Sequence, residues 1–171
     1  YIDEEATHRT QTISQNAQWF EDHSPVDARF RKPVVKGVSA NVICAAMLGG
    51  DEYPATAIGI NLPNADWIRA AYGSKSITIS NITDAYNKAS KGSGFKEEFV
   101  SDEETLRLIE KYGDVCDDLH TDLHECLGHG SGQLLPGVDP EALKAYSSTI
   151  EEARADLFGL YYIADKKLVT T

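Results

Sequence analysis

The sequence predicts an α+β chain, mainly α-helical, with a small β-strand portion. Three observations carry that expectation. Apolar residues recur at helical spacing near both ends, most regularly at Ile150, Ala153, Leu157, Leu160 and Ala164. Between Val34 and Ile82 the pattern changes to short runs of β-branched and small residues, punctuated by glycine and proline. The composition, 171 residues of which 42% are hydrophobic and 25% charged, suits a globular core.

Residues 3–21 place Ala6, Ile13, Ala17 and Phe20 among charged residues, so one amphipathic helix is expected there. Two prolines and an Asp-His-Ser cluster mark residues 22–33 as a loop. VVKGVSANVICAAML, residues 34–48, reads as a strand and GGDEYP as a turn. ATAIGINLP and SKSITISNI are two more expected strands, with a short helix in ADWIRAAYG between them. NKASKGSGFK, residues 87–96, has the composition of a flexible linker. Ser101 and Glu104 are spaced as a capping box, opening a helix through Leu106, Ile109 and Tyr112 that Gly113 should break or kink. A further helical run covers 114–129 and stops at Gly130–Gly132. Asp139-Pro140 has the cap and first-turn proline of another helix start. Ser148 and Glu151 form a second capping box before a helix over 149–166. The expected division is 1–97, an N-terminal helix with short strands, and 98–171, helices.

Charge and composition exclude several function classes. A net charge of −11 with no basic stripe argues against nucleic acid as a partner. No run approaches the roughly 18 apolar residues that a membrane span needs, so no membrane partner is expected. Three cysteines, Cys44, Cys116 and Cys126, cannot build a disulfide framework and suggest a reducing, cytoplasmic setting. With no initiator methionine and helices running to both ends, the chain reads as a segment that works with the remainder of a longer parent.

The chemistry is concentrated in HECLGHGSG, residues 124–132. Zinc peptidases of the H-E-x-x-H type carry two histidines four apart on one helix face. His124 and His129 are five apart, which on a regular helix separates them by about 140° instead of about 40°. A single wide π-turn removes most of that angle, and such bulges occur mostly at functional sites. Gly128 would lower the steric cost of the distortion. Glu125 then stands where H-E-x-x-H enzymes keep their general base. Zinc needs one more protein donor, and EEARADLFGL offers Glu152 and Asp156, four apart on one helical face. One of the two carboxylates would bind the metal while the other holds the back nitrogen of a ligand histidine, a role Glu151 could share from the flank. A rival pair exists: His120 and His124 are spaced i,i+4 but lack a glutamate directly after the first histidine. Cys126 points away from both and reads as packing.

HECLGHGSG followed by EEARAD resembles the paired signatures H-E-x-x-x-H and E-E-x-R-A-[ED] of the dipeptidyl peptidase III family. GINLPNADWIRAAYGSKSITISNI is similar to that family's stretch around N-[IL]-P-N, so the resemblance covers most of residues 18–165. It implies a zinc exopeptidase that releases dipeptides from the N-termini of short peptides. It implies that His124, His129 and Glu152 bind Zn2+, that Glu125 is the catalytic carboxylate, and that Glu151 and Asp156 support the ligands. It further implies that Asn61 and Asn64 bind the substrate's backbone or amino terminus, and that the β-portion comes from a second lobe. The family's upstream tyrosine and glutamate and its downstream His-x-x-x-Arg have no counterpart here. A zinc hydrolase of other substrates, or a truncated and catalytically silent binding segment, are the other readings the residues allow.

Overall fold

A computed structural model describes residues 1–36, 38–46, 57–63 and 65–170; the turn expected at 49–54 lies outside them. The expected first helix forms as two, α1 (Glu4–Gln15) and α2 (Ala17–Asp22). Asp3 caps α1, its carboxylate accepting from the Ala6 amide at 3.1 Å. Asn16 divides the pair, because its side-chain amide donates to the Thr12 carbonyl at 2.9 Å and competes with the helical ladder. A 3₁₀ turn, Ala28–Phe30, interrupts the expected loop.

The strands are shorter than the runs that predict them: β1 (Ser39–Ile43), β2 (Gly59–Leu62) and β3 (Lys75–Ile79). They form one sheet in the order β1-β3-β2, with β1 parallel and β2 antiparallel to β3. The outer edge of β1 is occupied by α1. The Thr7 hydroxyl donates to the Val42 carbonyl at 3.1 Å and accepts from the Val42 amide at 2.9 Å. That contact answers the unpaired polar groups of an edge strand.

Helix α3 (Asp66–Tyr72) links β2 to β3 as expected. Two other expectations need correcting. The strand read over 74–82 stops at Ile79 and turns directly into α4 (Ser80–Ser90), so the first four residues of the expected linker are helical. The reason is a second periodicity, Ile82, Tyr86 and Ala89 at i, i+4 and i+7, that overrides the Lys-Ser-Gly composition. After the short α5 (Phe95–Phe99), α6 (Glu103–Leu123) runs 21 residues without a break at Gly113. Its cap is Asp102 rather than Ser101, accepting from the Thr105 amide at 2.7 Å and hydroxyl at 2.8 Å.

The helix expected at Asp139-Pro140 is absent. Asp139 accepts from the Glu141 amide at 2.9 Å, a local turn that pre-empts a helical start, and Lys144 at φ 50° stops any propagation. A 3₁₀ turn, Lys144–Tyr146, leads into α7 (Ser147–Tyr162), followed by α8 (Lys166–Thr170). The second capping box does not form: Ser148 already lies inside α7, and the Glu151 carboxylate is turned elsewhere.

One apolar cluster joins these pieces. Ile13, Ala17, Phe20 and Ala40 pack with Leu123, Cys126, Leu127 and Tyr162. The Phe20 and Tyr162 rings meet edge to face at 4.9 Å, and the Tyr162 hydroxyl donates to the Phe20 carbonyl at 2.6 Å. Three of the eight cluster members come from the segment that carries the histidines, so the core fixes that segment's orientation. Among the described residues, no helix is long and apolar enough to cross a membrane.

Candidate metal centre

At the end of α6 the helix widens into a π-turn, His124–Gly128. The His129 amide donates to the His124 carbonyl, five residues back, at 3.1 Å. The extra residue is thereby absorbed, and the two imidazole rings lie 4.7 Å apart at 88°. Gly128 serves a different purpose from the one expected. Its backbone needs no left-handed conformation; instead a Cβ there would sit 2.7 Å from the Ala155 carbonyl oxygen and 2.8 Å from its Cα. Glycine is what lets the π-turn lie directly against α7. Gly159 continues the close approach, with His120 Cδ2 3.1 Å from where its Cβ would stand.

The contact delivers three acidic side chains of α7 to the histidines. Asp156 Oδ1 pairs with His124 Nδ1 at 2.9 Å, and Glu151 Oε1 with His129 Nδ1 at 3.1 Å. With both Nδ1 atoms so engaged, both Nε2 atoms turn inward. They face a single oxygen, Glu152 Oε2, at 3.2 Å from His124 and 3.7 Å from His129. Of the two carboxylates left open by spacing, Glu152 is the one that faces both Nε2 atoms, and Asp156 stands at Nδ1. Donors around a tetrahedral zinc with bonds of 2.0–2.1 Å stand roughly 3.3 Å apart. The three ligand atoms all lie within 4.8 Å of one another, so the donor set fits a metal ion in both spacing and chemistry. His120 does not build the rival site: its ring is 6.4 Å from that of His124, and its Nε2 approaches only Asp156, at 3.3 Å.

Glu151 is held in turn by Arg154, whose Nε donates to Oε2 at 2.9 Å and whose Nη2 donates to Oε1 at 2.6 Å. The other guanidinium nitrogen donates to the Ser131 hydroxyl at 2.7 Å and carbonyl at 3.2 Å. Burial alone would raise the Glu151 carboxyl, but the bonds from His129 and Arg154 outweigh it and hold the pKa at about 2. The same hydrogen bond raises His129, against the effect of its burial.

Glu125 is 9% exposed. Burial pushes its carboxyl above the usual range, while the charges of His124 and His129 pull it down and that of Glu152 raises it. Its carboxylate rests on Gly59 of β2, where an added Cβ would come 2.7 Å from Cδ. Asn61, two residues on, is turned into the protein: its Nδ2 donates to the Ser76 hydroxyl at 2.7 Å and to the Glu125 carbonyl at 3.0 Å. Asn64 lies outside the described residues. Cys126 is packing, 1% exposed, with its thiol pKa pushed up by burial. A cavity of about 560 Å³ opens beside the site, with Ile58, Thr83, Tyr86, Asp117, His120 and Thr121 on its walls.

Four residues around this site had no role assigned from sequence. Arg154 was signalled by its i,i+3 spacing from Glu151. Gly59, Ser76 and Ser131 reach the site only through the tertiary fold and leave no local signal.

Two imidazoles and a carboxylate are gathered across a π-turn, with a buried glutamate directly after the first histidine, a donor set that could hold a metal ion. The family model "Peptidase family M49" matches residues 1–144, and the chain belongs to that family. The dipeptidyl peptidase 3 of Dictyostelium discoideum is 26% identical over 195 residues, covering 92% of this chain and 26% of the relative. A protein of Arabidopsis thaliana named Nudix hydrolase 3 is 28% identical over 178 residues, covering 98% of the chain and 22% of that protein. The solved dipeptidyl-peptidase III of Corallococcus sp. strain EGB superposes with a TM-score of 0.79 at 27% identity, over 99% of this chain and 32% of that one. The chain therefore spans about a quarter to a third of the length of the relatives it matches.

Proposed function

We propose that the chain supplies the zinc-binding part of an exopeptidase that removes dipeptides from the free N-termini of short peptides. The observation that carries this reading is the single Glu152 oxygen faced by both histidine Nε2 atoms, within a chain of the M49 family. His124, His129 and Glu152 would hold the ion, and Asp156 and Glu151 orient the two rings through Nδ1. Bound zinc supplies Lewis acidity, polarising the scissile carbonyl and making a water more acidic. Glu125 takes the water's proton and passes it to the leaving amine. A carboxyl raised by burial is suited to that exchange. Asn61 and Asn64 flank Pro63 at the end of β2 as the residues that meet the peptide's backbone or amino terminus. Residues 98–171 furnish the zinc helices and residues 1–97 a strand region from a second lobe. Three free thiols accord with a cytoplasmic setting.

The test is Glu125→Gln in the complete protein. Zinc content should stay at one ion per chain while kcat/KM on peptides with a free amino terminus falls by about 10²–10⁴. Hydrolysis that survives the substitution removes Glu125 from the mechanism. Equal turnover of N-terminally blocked peptides removes the exopeptidase reading.

A further inference from the structure

A π-turn displaces hydrogen bonds. Here the His129 amide is passed to the His124 carbonyl, which leaves the Glu125 carbonyl to side-chain donors. A carbonyl in so buried a place needs partners. Two converge on it from neighbouring strands. The Ser76 hydroxyl of β3 donates to it at 2.7 Å, and Asn61 Nδ2 of β2 donates at 3.0 Å. Asn61 Nδ2 also donates to the Ser76 hydroxyl at 2.7 Å, closing a three-membered cycle. The protons of the cycle are distributed between its members. The serine O–H goes to Glu125, and the two amide hydrogens go to Glu125 and to Ser76. Ser76 is 1% exposed, so water cannot substitute for it.

Sheet register makes the cycle possible. Asn61 and Ser76 are directly opposed in the β2–β3 ladder, which brings both side chains to one point. Gly59, two residues before Asn61 and on the same face, is the surface on which the Glu125 carboxylate rests. The strand pair thus grips Glu125 at both ends, its main chain through Ser76 and Asn61 and its side chain through Gly59.

We propose that Ser76, with Asn61, is a positioning residue that fixes Glu125 by anchoring its main-chain carbonyl to the sheet. The proposal rests on the peptidase reading for its effect on rate but not for the anchoring itself. Ser76 is neither one of the metal donors nor on the cavity wall; besides Glu125 and Asn61, its hydroxyl meets the buried Cys126 thiol. The Asn61 nitrogen is committed to the same task, and its oxygen is buried without a hydrogen-bond partner among the described residues.

The experiment is Ser76→Ala in the complete protein, beside Ser76→Thr, which restores the hydroxyl. Small displacements of a catalytic group cost up to about a hundredfold in rate. Ser76→Ala should lower kcat by about tenfold or more, with KM and zinc content unchanged and Ser76→Thr recovering much of the loss. Independently of activity, hydrogen–deuterium exchange should quicken in residues 124–130 and leave α1, β1 and α7 unaltered. The idea is overturned if exchange in that segment is unchanged, if it quickens throughout the core, or if the loss lies in KM or zinc content. Should Ser76→Ala fail to fold, Ser76→Cys, of similar shape and weaker as a donor, takes the same readings. Absent hydrolysis in the wild type together with localised exchange would overturn the peptidase reading and leave the anchoring intact.

Discussion

Asp122, one turn before the π-turn closes, is 1% exposed and reaches a single partner, Arg9, whose Nε donates to Oδ2 at 2.7 Å. Its other oxygen is buried without a partner among the described residues. Burial raises the carboxyl from 3.8 to about 6, and the Arg9 contact only partly offsets it. A folded pKa above the unfolded one means that the group stabilises the fold in acid. That contribution is complete below 3.8 and is lost as pH rises through about 6. Asp122→Asn, which keeps an acceptor for Arg9, should therefore gain in Tm relative to the wild type as pH is raised from about 4 to about 7. Thermal melts across that range check it; a gap that moves the opposite way sinks the assignment. Residues of this kind divide sharply in legibility. His124, Glu125 and His129 could be picked out because their spacing is itself the signal, whereas spacing left Glu152 and Asp156 as alternatives and only the family resemblance chose Glu152. Asp122, Ser76 and Arg9 depend on strands and helices distant in sequence, and no spacing encodes them.

Among the elements, α6 and α7 cross where glycine and alanine face each other. Gly128→Ala would place a methyl 2.7–2.8 Å from the Ala155 backbone and 2.9 Å from its Cβ, and neither side has a flexible end to yield. The helices must part. Such overpacking costs about 1–3 kcal/mol, so a clear fall in Tm is expected together with weakened metal affinity. Gly113→Ala in the same helix is the control: its Cβ meets only Ile109 at 3.5 Å, and it should be neutral or stabilising. The elements show how a correct expectation can have an unexpected cause. Helix α7 was legible from an apolar stripe, yet Ile150, Leu157 and Leu160 of that stripe are 51%, 68% and 54% exposed. The residues α7 actually buries are Ala155, Gly159 and Tyr162. Where prediction failed, a local hydrogen bond or a competing period was responsible. Asn16 split one helix, Asp139 pre-empted another, and the period of α4 prevailed over a linker-like composition.

In the molecule as a whole, the cluster that holds the histidine segment draws on α1, α2, β1 and α7, so a metal bound there would be linked to stability. A ligand that binds only the folded state adds about 2.7 kcal/mol at a hundredfold excess over Kd. Adding zinc to the metal-free protein should raise Tm, and His129→Ala should abolish most of that rise. An equal rise in the variant would mean that the ion binds elsewhere. The family relationship, and much of the α+β outline, could be read from residues alone because two motifs and a strand-rich middle survive as contiguous strings. The depth of each residue could not, since it depends on which faces meet.

The seat of Gly128 on Ala155 has one more consequence. Glu152 lies one turn before Ala155 on α7, so the backbone from which its carboxylate reaches toward the two imidazoles is held against the π-turn at close range.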